Sequence, residues 1–465
     1  MTIKDNEPAP AQDMASALLG IEGVTVTEAE EEADGRLSVW ARITGPAACP
    51  GCATISERVH EWVVTRPRDV RYGGREICLF LVKRRLECAE EDCPQGTFTE
   101  WAPQVPPRCA ITRRLLEHAG NEVAGRGITP AESARHNGIS WPSVHGAFAG
   151  QADEILGDEP GQVSHLGIDE HRRGRPRWRR DTDTGETVQL ADRWHTCFYD
   201  LSGNQGMLGQ AEGRTSDDAS YWLAGATPAW RDAVRVVAID MCTIYLSAVR
   251  RMLPRAQVAV DLFHVVQLAV KAVGDVRRRA IREKYGRRGK AGDPEYGIKH
   301  LLEQNLENLS PDNFAKIIET LDSDRHGQQI ALAWIAKEKL RDALNIRARI
   351  TGSTPCGRQV RGRLFAFYDW CAQNERVTEL IVLAGTISRW EDQIVTAVIT
   401  GVTNARSESL NRIAKLEARH AYGFRNPANQ RRRVRIACTR GTRRNKPSPT
   451  AKTTHIVTMQ QHAPG

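Results

Sequence analysis

The run VSHLGIDEHRRGRPRWRR, Val163 to Arg180, sets Asp169 and Glu170 at the end of an alternating apolar stretch and puts six arginines in the next ten residues. Two acids at the head of so basic a run are either a surface ion-pair cluster or metal ligands beside a bound polyanion. A further acid, Asp240, ends VRVVAID, whose near-continuous apolar character marks a strand buried on both faces. A carboxylate there is costly unless it is paired, metal-bound or open to solvent. Two such acids on strands of one sheet could meet at its edge, the geometry a divalent metal pair needs for phosphodiester chemistry. A third acid is expected on a helix, and GVTNARSESLNRIAKLEARH supplies it. At about 100° per residue, Asn404, Glu408, Asn411 and Lys415 fall on one stripe, with Val402, Leu410, Ile413 and Leu416 broadly opposite. By periodicity alone that stripe reads first as an ordinary solvated face, although two asparagines flanking one glutamate are a less usual exposed set than Lys/Glu pairs and weigh against that reading.

Two cysteine pairs carry a different chemistry. CPGC (Cys49, Cys52) and CAEEDC (Cys88, Cys93) are separated by a β-rich stretch. Two tight turns donating two sulfurs each satisfy a tetrahedral zinc without strain. Cys78 and Cys109 compete as ligands, though Cys78 sits inside the apolar strand EICLFLVKRRLEC, where a packed thiol is the simpler reading. Further on, ITPAESARHNGISWPSVHGAF reads as two short helices joined through Asn137 and Gly138, with Ser140 as N-cap and Pro142 just inside the second helix. If it reads DNA, the second helix presents Trp141, Ser143 and His145 to the major groove; a plain helical hairpin is the competing reading.

The elements that must position these residues fall into an order. VTVTEAEEEADGRLSVWARI gives two strands around a polar turn, and residues 1–20 look poorly ordered. After about residue 160, SHLGID, WHTCFYD and GMLGQAE are strands, the last two joined by the hairpin DLSGNQG, in which Asp200 is turn chemistry. VRVVAID and AQVAVDLF are further strands alternating with the helices SDDASYWLAGA and TIYLSAVRRML, an α/β pattern. Residues 270–400 are mostly helical, and the basic tail from about Arg443 is loose. With 465 residues and 40% hydrophobic content the chain can hold several cores, which excludes wholesale disorder. Sixty-five Lys and Arg against 57 Asp and Glu lean only weakly towards an acidic partner; the clustering of arginines at 172–180, 277–288 and 431–444 leans more strongly towards nucleic acid. No run of about 18 apolar residues suggests a membrane helix, and the start lacks the apolar core of a secretory signal. Eleven scattered cysteines suit a reducing cytoplasm.

Taken in order, CPGC, the second cysteine pair, the paired helices, GIDEH, VVAIDM, VDLFHVVQ and TNARSESLNRIAK resemble the ISL3 family of bacterial insertion-sequence transposases over roughly residues 15–440. The resemblance implies a DDE transposase: a multidomain α/β chain whose RNase H-like core is interrupted by a helical insertion before the final glutamate, preceded by a zinc ribbon and a helix-turn-helix. Matched position by position, Asp169, Asp240 and Glu408 are the catalytic triad holding Mg²⁺ (or Mn²⁺), and Cys49, Cys52, Cys88 and Cys93 hold structural Zn²⁺. Ser409 departs from the glycine expected there. Glu170, which points to the opposite face of a strand from Asp169, ranks second for metal binding. Asp261 and His264 form a DLFH motif in which the histidine either touches a phosphate or packs as a structural residue. Arg172, Arg173, Arg175, Arg177, Arg431 and Arg432 are the candidates to neutralise DNA phosphates. The implied partners are the terminal inverted repeats of the element, target DNA and further copies of the chain, in a bacterial cytoplasm. The expected divisions are a zinc-ribbon domain 1–107, a helix-turn-helix 108–158, a first core part 159–274, a helical insertion 275–395, a final core helix 396–440 and a flexible tail 441–465. A zinc-ribbon transcriptional regulator without catalysis, and an RNase H-like nuclease without strand transfer, are the competing functions.

Overall fold

A computed structural model describes residues 11–191, 193–346 and 354–444. Its contacts divide the chain into two units, Met1–Gly157 and Asp158–Gly465.

The first unit opens with a helix, Ala11–Leu19, where the sequence reading expects no order; residues 1–10 lie outside the described residues. The anchor is apolar: Leu19 and Ile21 bury against Val24, Val26, Leu79 and Leu81, which offsets the cost of ordering a short polar segment. The strands are β1 (Val24–Glu31), β2 (Leu37–Ile43), β3 (Ala47–Ala48), β4 (Ile55–Ser56), β5 (Val59–Thr65), β6 (Ile77–Glu87) and β7 (Thr97–Thr99). One sheet runs β1-β2-β6-β5 with β7 on β6, and β3 pairs β4 in a small separate ladder. After it, the helices Arg113–Asn121, Pro130–Asn137 and Trp141–Leu156 pack together. Gly138 and Ser140 act as expected, Gly138 taking a left-handed φ of 61° and Ser140 accepting from Ser143 N–H with Pro142 in the first turn, while Thr129 caps the preceding helix by accepting from Glu132 N–H. Glu122, buried in this trio, accepts from Ser133 Oγ (2.8 Å), Asn137 Nδ2 (2.7 Å) and His136 Nδ1 (3.0 Å), so its charge is shared among three donors.

The second unit is built on β8 (His165–Arg172), β9 (Arg177–Arg180), β10 (Thr187–Ala191), β11 (Trp194–Asp200), β12 (Met207–Glu212), β13 (Val236–Ile239) and β14 (Gln257–Val260). The main sheet has the order β12-β11-β8-β13-β14. Its first three strands are antiparallel, and β13 lies parallel to both β8 and β14. Side chains alternate between its faces. Leu166, Ile168, Phe198, Val237, Ile239 and Val260 point into a core closed by the helices Ser216–Gly225, Pro228–Ala233 and Thr243–Met252. The other face is covered by Glu391–Thr400, which packs on β14, by Ala405–His420 over β8, and by Pro427–Arg444 over β12. Between these layers the chain leaves the sheet through the helix Leu262–Tyr285 and returns after a bundle that includes Pro311–Asp322, Arg325–Leu344, Gly357–Gln373 and Thr378–Arg389.

Three sequence expectations need correction. Strand β8 does not end at Asp169 but runs to Arg172, because its antiparallel pairing with β11 continues through Arg172↔Trp194 after the parallel partner β13 has stopped. The end of the arginine-rich run, Arg177–Arg180, is strand β9, which pairs with β10 in an unexpected hairpin inserted between β8 and β11. The last helix continues to Arg444, into the stretch expected to be loose; residues 445–465 lie outside the described residues.

Candidate active site and cysteine cluster

The parallel register sets three acids at one level. Ile239 pairs with Val260, so the next residues along, Asp240 and Asp261, stand side by side. Ala238 pairs with Gly167, so two residues further Asp240 stands level with Asp169. By strand alternation all three carboxylates face the side covered by Glu391–Thr400 and Ala405–His420. This is the carboxyl end of the parallel strands, where open α/β sheets place their ligands.

The helix Ala405–His420 is fastened to these acids. Asn404, its N-cap residue, is 1% exposed and donates from Nδ2 to Asp240 Oδ1 at 3.1 Å. Asn411, two turns on and 5% exposed, donates to Asp169 Oδ2 and accepts from the buried Tyr199 hydroxyl. The helix approaches β8 so closely that a Cβ at Gly167 would collide with Ser407 Oγ and lie 3.1 Å from Leu201 Cδ2. Glycine is required there by space, not by φ. The solvated-face reading of the Asn404–Asn411 stripe therefore fails: both asparagines lie against the sheet. Burial, then the neighbouring charge of Asp240, pushes the Asp169 carboxyl up to about 6. Burial likewise raises that of Asp240, against the lowering effect of His264 and Asn404.

Glu408 lies half-buried in the first turn of the same helix. Among the described residues, ligand atoms of Asp169, Asp240 and Glu408 do not all approach within 4.8 Å of one another, whereas those of Asp240, Asp261 and His264 do. Glu170 points to the other face, where it accepts from the Tyr245 hydroxyl. Asp200 is turn chemistry: buried, it accepts from the N–H groups of Ser202 (3.0 Å), Gly203 (2.7 Å) and Gln205 (3.1 Å).

In the first unit Cys49 and Cys52 flank the β3–β4 turn, and Cys88 and Cys93 follow β6. Their four sulfurs all lie within 4.8 Å of one another. Cys49 Sγ is 3.8 Å from Cys93 Sγ, and Cys52 Sγ is 3.4 Å from Cys88 Sγ. A tetrahedron with Zn–S bonds of about 2.3 Å has edges of about 3.8 Å, so the set fits zinc. Gly51 lets the turn wrap the sulfurs, since a Cβ there would be 3.3 Å from Cys93 Sγ. Neither Cys78 nor Cys109 joins the cluster.

A family described as the zinc-finger of transposases IS204, IS1001, IS1096 and IS1165 matches residues 45–93. The DDE transposase family of the ISL3 type, described as transposase, matches residues 166–434, more than half of the chain. The chain belongs to the ISL3 family of transposases. It is 22% identical over 411 residues to the transposase for insertion sequence element IS1001 of Bordetella parapertussis, a match covering 87% of this chain and 92% of that one. It is also 27% identical over 211 residues to the transposase for insertion sequence element IS1557 of Mycobacterium tuberculosis, covering 41% of this chain and 45% of the relative. Transposase function, a divalent metal in catalysis, DNA binding and a four-cysteine zinc ribbon come with the family.

In this ISL3 transposase the sequence-selected DNA contacts are scattered in state. Trp141 is 47% exposed and stacks on His145 with ring centroids 4.7 Å apart. Ser143 shares a hydrogen bond with the cap residue Ser140 (2.8 Å). Arg172 lies over the Trp194 ring at 4.8 Å. Arg173 and Arg431 both reach Glu212, at 3.6 and 3.8 Å. Arg175 and Arg177 are exposed, and Arg432 is half-buried in the last helix. Sequence reasoning missed Tyr199, whose partner Asn411 is 212 residues away, and Gly167, where a lone glycine inside an apolar strand was the available signal of a close backbone approach. Among the described residues no helix is long and apolar enough to cross a membrane.

Proposed function

We propose that the second unit is an RNase H-like core in which Asp169, Asp240 and Glu408 are the catalytic carboxylates for cleavage at the element end and strand transfer into target DNA. One observation carries this reading: Asp169 and Asp240 stand level on adjacent parallel strands, and the helix bearing Glu408 is hydrogen-bonded to one through Asn411 and to the other through Asn404. The sheet order, with three antiparallel strands followed by two parallel ones, supports the fold assignment.

Divalent cations, Mg²⁺ or Mn²⁺, would supply activation of the attacking hydroxyl and neutralisation of the scissile phosphate. The chain holds the reacting groups for that chemistry. Asp169 and Asp240 are aimed from a rigid sheet edge, and the amides of Asn411 and Asn404 fix their rotamers. Glu408 enters from the tethered helix. In the first step water attacks the phosphorus and the 3′ oxygen leaves; in the second that 3′ hydroxyl attacks a target phosphorus in line and displaces the target's 3′ oxygen. The exposed Arg175 and Arg177 beside β8 supply positive charge for the DNA backbone. In the first unit, the capped pair Pro130–Asn137 and Trp141–Leu156 is read as a helix-turn-helix that recognises the terminal repeats, with Trp141 and His145 at its exposed start. Joining two ends in one event calls for several copies of the chain on DNA, and the setting is the bacterial cytoplasm.

The test incubates the protein with labelled element ends and target DNA in Mg²⁺, alongside Asp240→Asn and Glu408→Gln. Joined product from the parent and none from either variant is expected. Normal joining by both variants overturns the triad. Cutting without joining identifies a nuclease, and end binding with no cutting by the parent identifies a regulator.

A further inference from the structure

We infer that Asp240, Asp261 and His264 form a divalent-cation site, with Asp240 as its link to Asp169, and that this site prefers Mn²⁺ to Mg²⁺. The inference deepens the proposed reading, because Asp240 belongs to both.

The geometry is local and explicit. His264 Nδ1 lies 3.4 Å from Asp240 Oδ1 and 3.8 Å from Asp261 Oδ2. The three residues offer ligand atoms that all lie within 4.8 Å of one another. Asp261 is held in place by its other oxygen, since Oδ1 caps the helix Leu262–Tyr285 by accepting from Phe263 N–H at 2.9 Å. Its backbone is fixed as well, because Asp261 N–H donates to Ile239 O at 3.0 Å, tying the end of β14 to the end of β13. His264 comes one turn into that helix, so its ring returns over the same strand ends.

Two polar atoms beside Asp240 lack hydrogen-bond partners although both are shielded from solvent: His264 Nδ1 and Asn404 Oδ1. Here Nδ1 stands between two oxygens at 3.4 and 3.8 Å and hydrogen-bonds to neither. Bonds of about 2.1–2.2 Å to a shared cation require ligand–ligand edges of about 3.0–3.5 Å, so the 3.4 Å edge between His264 and Asp240 already fits and the 3.8 Å edge to Asp261 needs a shift of a few tenths of an ångström. A nitrogen among oxygen ligands decides the metal. Mg²⁺ prefers oxygen and retains its water, whereas imidazole favours later divalent ions, and Mn²⁺ accepts the mixed set. The side chain of His264 is 40% exposed while that of Asp261 is 8% exposed, so the site opens to solvent on the histidine side.

The test is spectroscopic and independent of turnover. Dialysed full-length protein is titrated with MnCl₂, and bound Mn²⁺ is read by electron paramagnetic resonance with pulsed detection of nitrogen coupling. A ¹⁴N signal is expected in the parent, replaced by the ¹⁵N pattern in protein grown on ¹⁵N-histidine, absent in His264→Gln and retained in Glu408→Gln. Mn²⁺ binding is expected to weaken by about tenfold or more in His264→Gln and Asp261→Asn. A parent without histidine-nitrogen coupling at saturating Mn²⁺, or a folded His264→Gln that keeps it, overturns the inference. The isotope comparison needs no substitution and so decides even if a variant misfolds. Loss of the nitrogen signal with normal Glu408-dependent strand joining refutes this site alone. Normal joining by Glu408→Gln with the nitrogen signal intact refutes the triad alone.

Discussion

Replacing Asn411 by leucine tests the tether between the helix Ala405–His420 and the sheet. Leucine has the branching of Asn411 but a larger volume, and the site is 5% exposed, so the change removes polarity and adds some crowding. Two bonds disappear: the one to Asp169 Oδ2 and the one from Tyr199. Tyr199 is fully buried, so its hydroxyl is left without a partner at a cost of about 1–3 kcal/mol. The bond to a carboxylate contributes about 1.5–3 kcal/mol when that group is charged. Because the two losses share one site, a fall of about 2–4 kcal/mol in unfolding free energy is expected, measured by urea denaturation at pH 7.5. The amide also helps hold down the Asp169 carboxyl against burial, so its loss raises that group further and weakens its hold on a cation. Loss of such a supporting hydrogen bond typically costs about 10–100-fold in metal affinity. End cleavage titrated with Mn²⁺ should therefore need correspondingly more metal. Tyr199→Phe separates the effects: it removes only the hydroxyl, costs about 1 kcal/mol and leaves the metal requirement unchanged. If Asn411→Leu keeps the parental stability and metal requirement, the tether is not what positions this helix.

Two further outcomes follow from close packing and from the cysteines. Gly167→Ala drives a methyl into Ser407 Oγ and should cost about 1–3 kcal/mol, with Ser407→Ala restoring part of it because Leu201 still crowds the site; denaturation of the single and double variants measures the coupling. Removing metal from the Cys49, Cys52, Cys88 and Cys93 cluster with a strong chelator should release about one zinc per chain and unfold the knuckle, seen as new hydrogen exchange within residues 47–99, while the second unit keeps its protection.

How much of this could be read from residues alone depended on distance along the chain. The cysteine set was legible because each pair is local and each turn needs only its own residues. Asp240 was legible because an apolar run ending in an acid is a strong local contrast. Asp169 was placed at a strand end because its own side of the sheet was all the sequence displayed; the continuation to Arg172 is dictated by β11, a remote partner. The stripe through Asn404 and Asn411 was found by period, yet its burial was undecidable because the covering surface belongs to β8 and β13. Leu416, expected on the apolar side, is 48% exposed: the buried face runs through Ser407, Leu410, Asn411, Ala414 and Glu417, between the sheet and the helix Pro427–Arg444. The β9–β10 hairpin was missed because both strands are short and β9, Arg177–Arg180, is arginine-rich and exposed, and so lacks the apolar alternation that identifies a half-buried strand.

The arrangement of the acids implies a stability cost that a bound cation would relieve, and this can be measured. The Asp169 carboxyl stands at about 6, above its unfolded value, because burial and Asp240 both oppose its charge. The folded protein therefore holds this proton more tightly than the unfolded chain. The penalty is fully present above about pH 6 and is relieved as pH falls through that value; it amounts to about 3 kcal/mol at neutral pH. Asp169→Asn abolishes the charge and keeps an oxygen that can accept from Asn411. It should unfold about 1–3 kcal/mol less readily at pH 7.5 and lose the pH dependence between about 4 and 6, while being unable to join strands. A divalent cation acts on the parent in the same direction, adding about 2.7 kcal/mol when its free concentration is a hundredfold above the dissociation constant. Melting temperature against Mn²⁺ at pH 7.5 should rise in the parent and respond much less in Asp169→Asn. A parent indifferent to Mn²⁺, or an Asp169→Asn protein less stable than the parent at pH 7.5, would show that the sheet edge does not store this repulsion. In that event the asparagine tethers, and not a bound cation, would be what reconciles two buried acids with a folded core.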